Sequence, residues 1–488
     1  VYGPVDGLGK GTQVQHLSLI TIIGKRVLFP LFWILLLMVM GYYLGALMLP
    51  GLPAWSRLGL GTGILLGILS FGGYLLLYLE GIKDLGVIFS LLSSVIAIFL
   101  VLAIVKKKLQ LNSIFDLFTL GTGLDLWTII ILVLAGVMAF LAVGAGFHET
   151  DAYVLWGAKA AGLVSDGLSG VATRGTNTTL YPLHIPMLLG MMMDTFGDSL
   201  PASKIIFPIY YLSLILVVYG FLKKTGDRII SGLGTLVLAT MPLLVRHARI
   251  GYANLPLTFY LVTGVIFVIQ AKSESNQKSN RWLWLGAGIM FAFASWTRPE
   301  GFWLVTSGMI IGFSYLFFSG NLKQIQQPLI TTISPLLLLW VIWKLTSNQF
   351  YIDIVPVEGN LNHILHEFVI KNYHIEDLFR ITRYLFKQLF NFQTWGVVGV
   401  GFLASLLLIF QKNWKPDNVI WTLWLSSACS LLLICAVYYV FSYDKLTEMD
   451  WWLNTGFSRM VMPGMTLLWL GIVLVLNSAA TKREKTGL

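Results

Sequence analysis

The feature that most restricts this chain is a succession of apolar runs, each about 20 residues long, separated by polar or basic segments. That length matches a helix crossing a hydrocarbon core of about 30 Å. In lipid the backbone must satisfy its own hydrogen bonds, and runs this long do so as helices. The candidate spans are 27–49, 58–79, 84–105, 126–147, 202–222, 229–247, 255–271, 282–297, 301–319, 328–346, 395–411, 418–441 and 460–477. The expected fold is an all-α integral membrane unit of about 13 transmembrane helices with extracytoplasmic juxtamembrane helices. Charge agrees. Only 11% of the 488 residues are charged, whereas a soluble domain carries roughly 25%.

The net charge of +10 could suggest nucleic acid, but its placement argues against that partner. Basic residues gather between spans, at Lys106 to Lys108, Lys223 to Arg228, Lys272 to Arg281, Lys412 to Lys415 and Lys482 to Lys485. This is the positive-inside pattern of a multi-pass protein of a plasma or inner membrane. It puts the connections 148–201, 247–254, 298–300, 347–394 and 442–459 outside. The first three spans fit less well, because they leave Lys25 and Arg26 outside. The chain begins at Val1, so its natural start is expected upstream, and no cleavable signal peptide is visible. Cys429 and Cys435 share one apolar run and read as packing residues.

Several outer connections are long and hold most of the carboxylates, so they are expected to be ordered, with helices on the membrane surface. Residues 186–196 are apolar but too short to span, as in a half-inserted helix. Residues 1–125 read as a tail with the first membrane helices, 126–346 as a catalytic membrane core, 347–394 as an extracytoplasmic loop and 395–488 as C-terminal membrane helices.

One motif misleads. Gly7 to Gln13 has the look of a phosphate-binding loop, but Pro4 stands where the pattern needs glycine and no strand precedes it. The segment that carries chemistry is Gly146 to Ala160, directly after a span. His148, Glu149 and Asp151 then sit at the membrane surface. Thr150 suits a helix cap, placing Asp151 in the first turn, where the helix dipole favours an ionised carboxylate. Two roles stay open for it: a base that takes a proton from an acceptor hydroxyl, or a helix-starting acid. Further along come Tyr181-Pro182-Leu183-His184, then Arg246 to Leu257, then Trp296-Thr297-Arg298-Pro299-Glu300-Gly301, then Arg459. Charges at membrane depth need a partner or a wet cavity. Arg246, Arg249, Arg298 and Arg459 either snorkel to the interface or cradle an anion such as phosphate. His363, His366, Glu367 and His374 lie close enough for a zinc site but read as an interfacial helix. Asn177-Thr178-Thr179 is an N-glycosylation triplet.

The order Asp151-Ala152-Tyr153, Trp156, Lys159-Ala160, then Tyr181-Pro182-Leu183, then Gly251 to Leu257, then Thr297 to Gly301 resembles the GT-C superfamily of membrane glycosyltransferases. The likeness is to protein O-mannosyltransferases and aminoarabinose transferases, over residues 126–320, with an echo from Ser458-Arg459 through Met462-Pro463. The resemblance implies Asp151 as catalytic base, with Glu149 as its partner, and a polyprenyl-phosphate sugar donor at the interface. It implies an acceptor hydroxyl on a glycan, lipid or protein, direct displacement with inversion, and an extracytoplasmic active site. Arg246, Arg249, Arg298 and Arg459 become the donor-phosphate ligands. His148, Tyr153, Trp156, Lys159, Tyr181, Asn254 and Glu300 become substrate-binding residues. Related sequences carry Asp where this chain has Asn254, and an amide cannot act as a base. No cofactor is assigned; a divalent cation is left open, with no ligands named. Two other classes compete: a transporter or flippase of lipid-linked sugars, against which no internal repeat is found, and an O-antigen ligase or polymerase centred on 347–394.

Overall fold

A computed structural model describes residues 29–49, 51–106, 108–119, 124–147, 149, 151–174, 181–196, 200–274, 277–319, 322–347, 375–410, 416–441 and 446–486. The glycine-rich tail, His148, Thr150, the 177–179 triplet and the histidines of 363–374 lie outside these residues. Every regular element among the described residues is a helix. Nine described helices are long and apolar enough to cross a membrane, or ten if Arg228–Ala239 and Pro242–Ile250, bent by 54°, form one broken span. The chain is an all-α, multi-pass integral membrane protein. The number 13 is not established: Gln277–Thr297 and Pro299–Ser319 are helical but fall outside the nine, and the 395–411 run contains the short helix Val398–Ile409.

Between helices in lipid the hydrophobic effect offers little, so close backbone approach matters. Phe29–Met48 and Ala54–Leu79 meet in this way. A Cβ on Gly45 would fall 2.1 Å from the Arg57 carbonyl oxygen, and one on Gly61 would fall 1.8 Å from that of Gly41. Larger residues would force these helices apart. The most apolar stretches of Asn254–Ser273 and Pro201–Thr225 are 94% and 89% buried within the protein, so these helices are central. Those of Leu85–Val105 and Leu126–Gly144 are only 28% buried and present Val95, Ile98, Val133 and Phe140 outward, as lipid-facing helices do. The expected half-inserted segment is the helix His184–Thr195, enclosed along most of its length. Its His184 Nε2 lies 2.6 Å from Tyr210 Oη, and Ser70 Oγ donates to its carbonyl.

Polar groups separate to the two ends. At one end the basic connection 223–228 meets Asp125, the cap of Leu126–Gly144. The short helix Leu111–Leu117 lies at this same end, where Trp55 Nε1 donates to the Leu117 carbonyl at 3.1 Å. The other end gathers the segments that the sequence marks as chemical.

Candidate active site

Stretches far apart in sequence converge at that second end. The first is the chain leaving Leu126–Gly144. Phe147 packs against Gly251, whose Cβ, if present, would lie 2.8 Å from the Phe147 ring. Gly251 also has φ +88°, the left-handed turn that ends Pro242–Ile250 and lets Asn254–Ser273 begin. Glycine is thus required there twice, by dihedral and by space. Lys204, buried at the start of a central helix, fastens the same corner: its Nζ donates to the carbonyls of Gly146 at 2.9 Å and Arg249 at 3.2 Å.

Asp151 begins a π turn, Ala152–Gly157, and its carboxylate makes no capping hydrogen bond. It pairs instead with Arg459, whose Nη1 donates to Oδ2 at 2.8 Å. Arg459 itself follows a second π turn, Leu453–Phe457. Such turns insert a residue into a helix, re-aim the side chains beside them and occur often at functional sites. Both members of this pair are positioned so. The Asp151 side chain remains 42% exposed, and its Oδ1 accepts no hydrogen bond among the described residues.

From Arg459 the network runs inward. Its backbone carbonyl accepts from Asn254 Nδ2 at 3.1 Å, and Asn254 Oδ1 accepts from Arg298 Nη1 at 3.0 Å. Arg298 spends the rest of its fork on Glu300, Nε to Oε2 and Nη2 to Oε1, both at 3.1 Å. This is the strong, planar, two-bond arrangement. Arg298 is buried, so removing either partner leaves an uncompensated charge, at a cost of about 3–5 kcal/mol. The amide of Asn254 is explained by this geometry. It must donate to one arginine's carbonyl and accept from another's guanidinium, and an ionised carboxylate could do only the second. Asn254 therefore positions arginines, and both ends of its amide are taken.

Glu149 pairs separately, its Oε1 accepting from Arg246 Nε at 3.0 Å and from Nη2. Glu149 and Asp151 are thus held by different arginines. Tyr181 is a hub: the Arg298 guanidinium lies 5.4 Å and the Lys159 ammonium 5.5 Å from its ring centroid, and Trp156 packs edge-on at 5.5 Å. Trp156 and Lys159 are fully buried, and burial pulls the Lys159 ammonium down to about 7. Tyr153 points outward, half exposed. Arg249 differs from the other three arginines. No carboxylate pairs with it among the described residues, and its buried Nε has no hydrogen-bond partner there. Those residues also hold no group of three or more side chains suited to a metal ion.

Three residues escape sequence reasoning. Tyr252 lies under Arg459, 4.9 Å from guanidinium to ring centroid, and burial pushes its hydroxyl up. Tyr438, at the end of a span, faces Arg459, Glu300, Arg298 and Tyr181. Lys204 is the third. Tyr252 sits inside a quoted motif, and the Tyr438-Tyr439 pair at a span end is a usable signal. Lys204, one lysine beside an apolar run, carries no signal.

The fold and this site define a multi-pass membrane protein with a charged, partly open site at one end. Residues 181–346 match the family described as dolichyl-phosphate-mannose-protein mannosyltransferase. That indicates a membrane glycosyltransferase of the GT-C type, as the sequence order implies. The matched segment contains Tyr181, Arg246, Arg249, Asn254, Arg298 and Glu300 but not Asp151 or Arg459. Asn254 joins those two to it physically. No curated protein and no solved structure gives a significant match.

Proposed function

We propose that the chain transfers one sugar from a polyprenyl-phosphate donor to an acceptor hydroxyl on the extracytoplasmic face. The observation that carries this reading is the Asp151 carboxylate, fixed through Oδ2 by Arg459 while Oδ1 takes no described partner and the side chain stays half open. Asp151 takes the acceptor's hydroxyl proton as that oxygen bonds the anomeric carbon. The bond from that carbon to phosphate breaks, and polyprenyl phosphate leaves with the electron pair. Attack from the opposite side inverts the configuration. Arg249, with no described carboxylate against it, receives the departing phosphate, helped by the exposed Arg246 three residues earlier on the same helix. Arg298 acts from behind: Glu300 and Asn254 occupy its fork, so it sets the position of Asn254 and thereby of Arg459. A membrane setting suits the donor, whose lipid tail needs an apolar groove and whose head group needs this polar end.

Purified chain in liposomes supplied with polyprenyl-phosphate mannose, the sugar in the matched family's description, tests the reaction. Release of polyprenyl phosphate and an inverted product anomer are expected; retention of configuration rules out single displacement. Sidedness is tested in a chain with Cys429 and Cys435 replaced by Ser. Ser169→Cys should react with an impermeant thiol reagent from outside and Lys224→Cys only from inside. The reverse labelling moves the site to the cytoplasmic face.

A further inference from the structure

A half-open groove of about 430 Å³ lies beside the site, and of its lining only Arg246 takes part in the chemistry above. Its walls are the two-faced helix Ile375–Leu389 with the turn that follows, the start of Pro242–Ile250, and the residues around the π turn Leu453–Phe457. Arg246 belongs both to the groove and to the Glu149 pair, and Ser458 lines it one residue before Arg459. The groove therefore adjoins the two arginines that hold Glu149 and Asp151.

Its chemistry is specific. Tyr384 gives an aromatic face, with the Lys387 ammonium 5.6 Å from the ring centroid. Tyr384 Oη donates to Asn454 Oδ1 at 2.9 Å, and its ring stands edge-on to Phe457 at 5.6 Å, so this wall is held in place. Gln388 is only 5% exposed, yet its Oε1 has no hydrogen-bond partner among the described residues. A buried amide oxygen without a donor is costly, and such groups in native proteins call for an explanation. A ligand hydroxyl supplies the missing donor. Amides, hydroxyls and one aromatic face suit a sugar ring, which shows both polar edges and apolar C–H faces. No carboxylate lines the groove among the described residues, whereas Lys387 does, beside an Arg246 already paired with Glu149, so a negative charge on the ligand is favoured at Lys387. A lipid tail is not: Pro242 and Leu243 are its main apolar lining.

We propose that this groove is the acceptor subsite and takes a polyhydroxylated glycan bearing an acidic group. The assignment rests on the transferase reading and names the substrate class of its acceptor.

The full chain in detergent is applied to an array of neutral oligosaccharides and of oligosaccharides bearing uronate, sialate or phosphate. Acidic glycans should be retained, and Gln388→Leu should lower their signal at least tenfold. Lys387→Gln should lower it at least threefold; Lys387 is exposed, so this change does not endanger folding. Retention of neutral glycans as strongly as acidic ones, or signals equal to those of Gln388→Leu throughout, overturns the proposal. A second arm measures binding to vesicles containing polyprenyl phosphate. Gln388→Leu should leave it unchanged; a tenfold loss there gives the groove to the donor head group instead. Asp151→Asn separates this proposal from the transferase reading. It should retain acidic glycans while losing turnover. Glycan retention with full turnover in that variant keeps the groove as a glycan site and rejects the mechanism.

Discussion

Asp125 and Asp151 both start a helix at a membrane surface, at opposite ends of the molecule, and both face basic residues. Their surroundings differ in saturation. Asp125 is fully buried and accepts from Thr128 N at 2.9 Å, Thr128 Oγ1 at 2.8 Å, Tyr219 Oη at 2.6 Å and Lys223 Nζ at 3.0 Å, with Arg228 Nη2 at 3.2 Å. Burial alone would raise its carboxyl, but these donors outweigh burial and hold it well below the usual carboxylate range. Asp151 has one strong partner, an oxygen with no described donor and an open side. A carboxylate whose bonding capacity is filled can only fix structure. One left half-filled by a rigid frame can act on a substrate.

The sharpest way to break this contrast is to neutralise each acid without changing its shape. Asp151→Asn should lower turnover by about 10²–10⁴-fold while the melting temperature stays near that of the parent chain. Near-normal turnover would leave Asp151 as a helix-starting acid. Asp125→Asn should do the reverse, removing about 3 kcal/mol or more of stability and leaving the turnover of the surviving fold unchanged. Thermal denaturation in detergent separates the two.

Acid titration sharpens the same comparison. Because the folded Asp125 value is depressed, its stabilisation is complete above about pH 4 and is lost as pH falls through the lower folded value. The parent chain should lose stability below that point, and Asp125→Asn should show a shallower loss over the same window. Identical acid profiles would mean that Asp125 is not the fastening the geometry suggests.

Smaller effects are expected among the arginines. Lysine cannot span Glu300 and Asn254 together, so Arg298→Lys should displace Asn254 and Arg459 and lower turnover about tenfold, or about 1.4 kcal/mol. Arg298→Ala should lower it further and also lower the melting temperature, because it leaves the Glu300 carboxylate unpaired. A silent Arg298→Lys would show that only length and charge matter there, as for a snorkelling side chain. Arg249→Ala should raise the donor KM several-fold with little change in stability, since no described carboxylate depends on it. A drop in melting temperature without a change in KM would make Arg249 structural.

Much of the site was legible in sequence because membrane burial leaves few places for charge. Arg298, Glu300, Arg246, Glu149 and Asp151 stood out against apolar runs, and their order carried the GT-C resemblance. Their pairing was not legible. The sequence suggested Glu149 as the partner of Asp151, whereas each is held by an arginine contributed by another helix. The role of Asn254 was equally hidden, since an amide that donates one way and accepts the other has meaning only once Arg298 and Arg459 flank it.

The length and apolarity of the runs determined by themselves that this chain lies in a membrane as a bundle of helices. That outcome depends on local hydrogen bonding and on transfer from water to lipid, both properties of short stretches of chain. The tertiary structure alone decided which carboxylate is saturated and which is left open. That difference depends on contacts between residues hundreds of positions apart, as in the pair of Asp151 with Arg459.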